Sequence, residues 1–131
     1  MAADIVQSNP KTMAAPGGHY SHAVAENGFV FVSGQLPIAS DGTKLTDAPI
    51  ERQAQQVLYN VAAALAAAGS AVDRLVQVRV YVTDIQEWAA FNTIYAAWAG
   101  AVRPARAVVP VPALHCGFKI EVEAVALAGS A

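Results

Sequence analysis

Charged side chains are scarce in this chain: 8 Lys and Arg and 10 Asp and Glu among 131 residues, or 14%, where an average soluble protein carries about 25%. With 55% hydrophobic residues, much of the surface must be apolar or covered, and copies of the same chain are the simplest cover. A net charge of −2 and the lack of any Lys or Arg cluster exclude the electrostatic footprint of a nucleic-acid binder. There is a single cysteine, Cys116, so no internal disulfide can form and no second thiol can help build a zinc site. A reducing, cytoplasmic setting fits, with Cys116 expected as a small buried residue on an extended segment. His19, His22 and His115 match no zinc spacing, so no metal is expected. No Gly-Lys-Ser or Gly-Lys-Thr occurs, and no nucleotide or other cofactor is indicated. Met1-Ala2-Ala3-Asp4 opens no basic stretch followed by an apolar core, and the Ala-rich run from Val61 to Ala68 is far too short to span a bilayer. No membrane partner is expected.

What is present reads as one domain over residues 1–131. Residues 1–18 carry Asn9-Pro10 and Pro16-Gly17-Gly18, which predict an irregular arm with at most one short strand. Tyr20 to Ala25 and Phe29 to Ser33 flank Glu26-Asn27-Gly28, whose Asn-Gly pair supplies the positive φ angles of a hairpin turn. Asp47 is placed to cap a helix from Pro49 to Ala68 that stops at Gly69, with Ile50, Ala54, Val57, Val61 and Leu65 on one face. Leu75 to Val82 alternates as a strand, with Val76, Val78, Val80 and Val82 predicted on one side. Asp84 and Glu87 resemble a capping box for a second helix through Trp88, Phe91, Asn92, Tyr95 and Trp98 to Gly100. Strands over Ala107–Val111 and Phe118–Leu127 follow. The order β-β-α-β-α-β-β predicts an α+β fold with two helices on one face of a sheet. Both faces of Phe29-Val30-Phe31-Val32 are apolar, so a neighbouring subunit is expected over the other face.

Few residues here can carry chemistry. Arg106 opens a short apolar strand after Pro104, and its planar fork matches a carboxylate bidentately. It reads either as an anion anchor or as the partner of Glu121 or Glu123 on the next strand. Glu123 reads best as the ion-pair partner of Arg79. Glu121 reads equally as an ion-pair partner or as a proton carrier, whose pKa apolar surroundings would raise. Ser33-Gly34-Gln35 ends a hydrophobic strand, where glycine lets a ligand approach backbone N–H groups. Ser33 has no base beside it in sequence, so a triad nucleophile is not expected.

Five collinear stretches then carry a resemblance: Tyr20; Phe31-Val32-Ser33-Gly34-Gln35-Leu36-Pro37; Phe91-Asn92-Thr93-Ile94-Tyr95; Pro104-Ala105-Arg106; and Lys119-Ile120-Glu121-Val122-Glu123-Ala124-Val125-Ala126. Together they resemble the YjgF/Rid family of reactive-intermediate enamine/imine deaminases, whose relatives also carry the label endoribonuclease L-PSP. The resemblance implies a chorismate-mutase-like fold and a homotrimer with ligand sites between subunits. It implies that Arg106 grips a substrate carboxylate, that Glu121 handles the catalytic water, and that Tyr20, Ser33 and Asn92 surround the pocket; His115 is a further candidate for the substrate site. The backbone at Gly34 and Val108 is expected to bond the ligand. The implied reaction is hydrolysis of a 2-imino acid to a 2-keto acid and ammonia, with the small carboxylate-bearing metabolite as partner. A non-catalytic carboxylate-binding regulatory module is the alternative, and endoribonuclease activity runs against the acidic balance. The chain departs from the family pattern at Gly18-His19-Tyr20-Ser21-His22, at Val108 in place of a cysteine, at Pro112 and at His115-Cys116-Gly117. These positions bear on which molecule is anchored.

Overall fold

The computed structural model describes residues 4–129. Met1 to Ala3 of the arm, and residues 130–131 of the domain, lie outside the described residues. The elements are β1 (Val6–Ser8), β2 (Ala23–Glu26), β3 (Phe29–Gln35), α1 (Ile50–Ala67), β4 (Leu75–Val82), α2 (Trp88–Ala99), β5 (Ala105–Pro110) and β6 (Ile120–Leu127). They form one six-stranded sheet in the order β1-β2-β3-β6-β4-β5, antiparallel throughout except for the parallel β4–β5 pair. The fold is α+β, a mixed sheet with both helices on one face. β1 falls inside the arm predicted to be irregular, paired with β2.

The β2–β3 hairpin turns at Asn27 and Gly28, both with positive φ (53° and 84°), as an Asn-Gly turn should. From there the alternation of β3 sends Val30 and Val32 inward while Phe29 and Phe31 stay exposed, at 40% and 46%. The inward set meets Ala54, Val57, Val61 and Leu65 of α1, all buried without residue. Each branched side chain removed from water in this way contributes about 1.5–3 kcal/mol. The alanines of α1 let the helix lie close on β3 and β6, as its Ala-rich middle requires.

Four local expectations are corrected. The first paired strand after the arm starts at Ala23, not Tyr20, because His22 is held by the arm instead: its N–H donates to Asn9 Oδ1 at 2.8 Å and its Nε2 lies 2.7 Å from Ala14 O. Asp47 does not cap α1: the extended residue before Ile50 is Pro49, and no side chain bonds the helix start. Gln53 ties that corner down instead, donating to Thr46 O and Ala48 O and accepting from the Lys119 N–H at 2.9 Å. Val76 is 41% exposed rather than facing the helices, because a shift in β4–β6 pairing between Leu75 and Gln77 breaks the alternation. The Asp84 side chain accepts from the Gln86 N–H rather than from Glu87, whose N–H goes to the Asp84 carbonyl, and it caps a 3-10 turn, Ile85–Glu87, that leads into α2. Among the described residues no helix is long and apolar enough to cross a membrane.

Candidate functional site

Register assigns the candidates to faces of the sheet. Arg106 lies opposite Val78 of β4 and Val108 opposite Val80, so β5 turns both toward the helices. Glu121 lies opposite Tyr81, an odd number of residues from Val78, and therefore belongs to the other face. Arg106 and Glu121 do not pair within the chain.

On the helix face, Trp88, Asn92 and Tyr95 sit four and then three residues apart along α2, which makes them one stripe. Arg106 fills that stripe. Its guanidinium carbon is 4.7 Å from the ring centre of Trp88 and 4.7 Å from that of Tyr95, and its Nη1 donates to Asn92 Oδ1 at 2.9 Å. Two cation–π contacts and one hydrogen bond to Asn92 fix the planar group; each stacking contact is worth about 0.5–1 kcal/mol at such an exposed site. Beside it opens a cavity of about 460 Å³ lined by Asn92, Tyr95, Arg103, Pro104 and Arg106. Val108 lines neither this cavity nor the next. Its side chain packs against the core.

On the other face, Tyr20, Ser33, Gly34, His115 and Glu121 line a second cavity, also of about 460 Å³. The β3–β6 pairing breaks between Val32 and Gln35, which frees Ser33 and Gly34 from the ladder. Ser33 N–H donates to His22 O at 2.9 Å and Ser33 Oγ to Ser21 O at 2.6 Å, so this hydroxyl proton is spent on the fold and its oxygen remains an acceptor. Gly34 is needed for space: a Cβ there would run into Glu121 Oε2 and lie 3.0 Å from Glu121 Cδ. Burial pushes the Glu121 carboxyl above its ordinary value, His115 opposes the rise, and Glu123 adds to it. Glu123 is occupied elsewhere, 3.9 Å from Arg79 and hydrogen-bonded by the Tyr81 hydroxyl. The expected Arg79–Glu123 pair is thus present.

Cys116 departs from expectation. It is exposed, and it sits with His115 in a 3-10 turn (His115–Gly117) rather than on a strand, so both line the second cavity. Its φ of 57° is a left-handed value uncommon outside glycine. Trp88, Tyr95 and Lys44 escaped the sequence reading as wall residues. The first two were visible as the 4-3 spacing with Asn92 on α2; Lys44 had no local signal, since it is brought in by a bridge to Ile38.

These features meet a family on comparison with known proteins. A family model described as Endoribonuclease L-PSP matches residues 11–128. The chain belongs to this family, the one called YjgF/Rid above. Protein HMF1 of Saccharomyces cerevisiae is 39% identical over 122 residues, which is 93% of this chain and 91% of that protein. The crystal structure of RidA from the Antarctic bacterium Psychrobacter sp. PAMC 21119 superposes with a TM-score of 0.88 at 31% identity, covering 93% of this chain and 98% of that one. E. coli TdcF, crystallised with bound serine, superposes with a TM-score of 0.86 at 30% identity and the same coverage. The chorismate-mutase-like Rid fold is therefore that of this chain, and it carries the two cavities on opposite faces of the sheet. They share no lining residue.

Proposed function

We propose that this Rid protein hydrolyses small 2-imino acids, reached from their enamine tautomers, to 2-keto acids and ammonia, at sites assembled between the subunits of a cytoplasmic homotrimer. The observation that carries the reading is the division of the candidates: a fixed guanidinium with no carboxylate partner among the described residues on one face, and a half-buried carboxyl of raised pKa on the other. Neither half is a catalytic site alone. Joining Arg106 of one subunit to Tyr20, Ser33, Gly34 and Glu121 of a neighbour makes one, and the exposed Phe29 and Phe31 supply apolar surface for that contact.

In the joined site Arg106 holds the substrate carboxylate, which places the adjacent imine carbon beside Glu121. Water adds to that carbon as Glu121 takes one of its protons. The resulting carbinolamine nitrogen receives that proton, the C–N bond breaks, and the hydroxyl proton leaves with ammonia as ammonium, giving the keto acid. A protonated imine is already electrophilic, so this chemistry calls for no cofactor. The serine bound to TdcF, itself a small carboxylate, is in keeping with such an anchor. The net charge of −2 speaks against RNA as substrate.

The test is ammonia release from a 2-imino acid generated in situ, against a buffer control. The wild type is expected to accelerate it, and Arg106→Ala to lose about a hundredfold in kcat/KM, the scale of charge-assisted bonds to a carboxylate. An unchanged rate in Arg106→Ala would sink the anchor. Keto-acid binding without any acceleration would point to the regulatory module instead.

A further inference from the structure

Tyr95 carries a hydroxyl that the fold does not use. Its ring lies 5.7 Å from that of Phe91 and 5.8 Å from that of Trp98, and forms one wall of the Arg106 stack at 4.7 Å. Phenylalanine could make all three contacts. Tyr95 is 6% exposed, and among the described residues its buried hydroxyl finds no acceptor. Nearly all buried polar groups in folded proteins are paired, and an orphan lowers stability until something arrives to bond it.

Its surroundings say what would arrive. Tyr95 lines the same cavity as Arg106, Asn92 and Arg103. Burial holds its hydroxyl above the ordinary tyrosine value, with Arg106 partly opposing, so at neutral pH the phenol is protonated and can donate. The guanidinium opposes that rise by its charge and by offering an N–H to Oη, but it can only donate, so it gives the phenol proton no acceptor. The O–H is left for a third party. A group that binds beside a guanidinium and also accepts from a neutral hydroxyl is an anion. A carboxylate suits both at once, with two oxygens and about four lone-pair sites to share between a planar fork and a phenol.

We infer that the Tyr95 hydroxyl is a substrate-binding group that donates to the carboxylate held by Arg106. The inference rests on the anchor proposed above and deepens it, since an ester or amide in place of the carboxylate would forfeit charge and acceptor capacity at both partners. Tyr95 then belongs to recognition of the acid, and not only to the aromatic packing of α2.

Tyr95→Phe isolates the hydroxyl while keeping the ring. Its KM for the imino acid, and its Kd for the unreactive 2-keto acid by calorimetry, are expected to rise about tenfold, with kcat within about twofold. Its Tm is expected to stay level or rise, because an unpaired buried group has been removed. Wild-type KM and Kd would overturn the inference. So would a fall in Tm with kinetics unchanged, which would assign the hydroxyl to folding or subunit contact. Arg106→Ala in the same calorimetric experiment separates the two proposals. If it binds the keto acid as the wild type does, the anchor itself fails. If it loses binding while Tyr95→Phe keeps it, only the role of Tyr95 fails.

Discussion

The Arg106 side and the Glu121 side of this protein are organised by opposite means. Arg106 is held by regular structure: a helical stripe of Trp88, Asn92 and Tyr95 and the parallel register of β4 with β5. Glu121 is on a strand too, but what surrounds it comes from irregular backbone: the break at Ser33–Gly34, the arm before Tyr20, and the turn at His115–Gly117. The first arrangement fixes the direction of a charge. The second controls a proton, since partial burial sets the Glu121 carboxyl above its usual range. A rigid half suits binding and an adjustable, loop-walled half suits chemistry, which predicts that damage to the two will show in different kinetic constants.

The largest effect is expected from Glu121→Gln, which removes the proposed proton carrier and should lower kcat by about 10²–10⁴ with KM little changed. Mixing tests the comparison itself. Subunits of Arg106→Ala and Glu121→Gln, unfolded together and refolded in equal amounts, should recover about a quarter of wild-type activity if each site takes one half from each of two neighbours. Recovery of nothing beyond the two mutants would mean that the halves are not joined between subunits. Next in size is Gly34→Ala. Its Cβ must displace the Glu121 carboxylate, and a shift of about 1 Å at such a group costs up to about a hundredfold in kcat. Equal kcat in steady-state assays would show that Glu121 can move without consequence. Smaller again is Trp88→Leu, which removes one of two stacking partners of Arg106 and should raise KM by about two- to fivefold, the equivalent of one exposed cation–π contact. A change in kcat instead would erase the proposed division of labour.

The smallest effect is on stability. The native Glu121 keeps its proton at pH values where the unfolded chain has already released it, so the folded state binds more protons in the window above the ordinary glutamate value. Stability should therefore fall as pH rises through that window. Denaturant titrations at several pH values should show this slope in the wild type and less of it in Glu121→Gln.

Much of the Arg106 side could be read from sequence, because its parts are periodic. Trp88, Asn92 and Tyr95 declare a helical face by spacing alone, and Val78 and Val80 declare the face of β4 that Arg106 and Val108 adopt. Less of the Glu121 side was legible. Cys116 looked like a buried strand residue because nothing local announces a left-handed turn at a cysteine. The close approach of Gly34 to Glu121 joins residues far apart in sequence through a pairing break that alternation cannot predict. Asp47 illustrates the converse: a good capping residue stood near the helix start, but Pro49 occupied the position and Gln53, fully buried, did the tying. Propensity proposes such partners, and tertiary geometry chooses among them.

The strand order carries a consequence for how this chain comes together. Among the described residues β6 is the last strand in sequence, yet it sits between β3 and β4 and is the only strand bonded to both. Until residues 120–127 are available, β1-β2-β3 and β4-β5 are two separate ribbons, each with an unsatisfied edge along what will become the middle of the sheet. Synthesis from the N-terminus thus leaves the centre of the sheet open until residues 120–127 emerge, and the closing event is insertion of the strand that also delivers Glu121. The architecture and the proposed proton carrier are completed by the same eight residues, Ile120–Leu127.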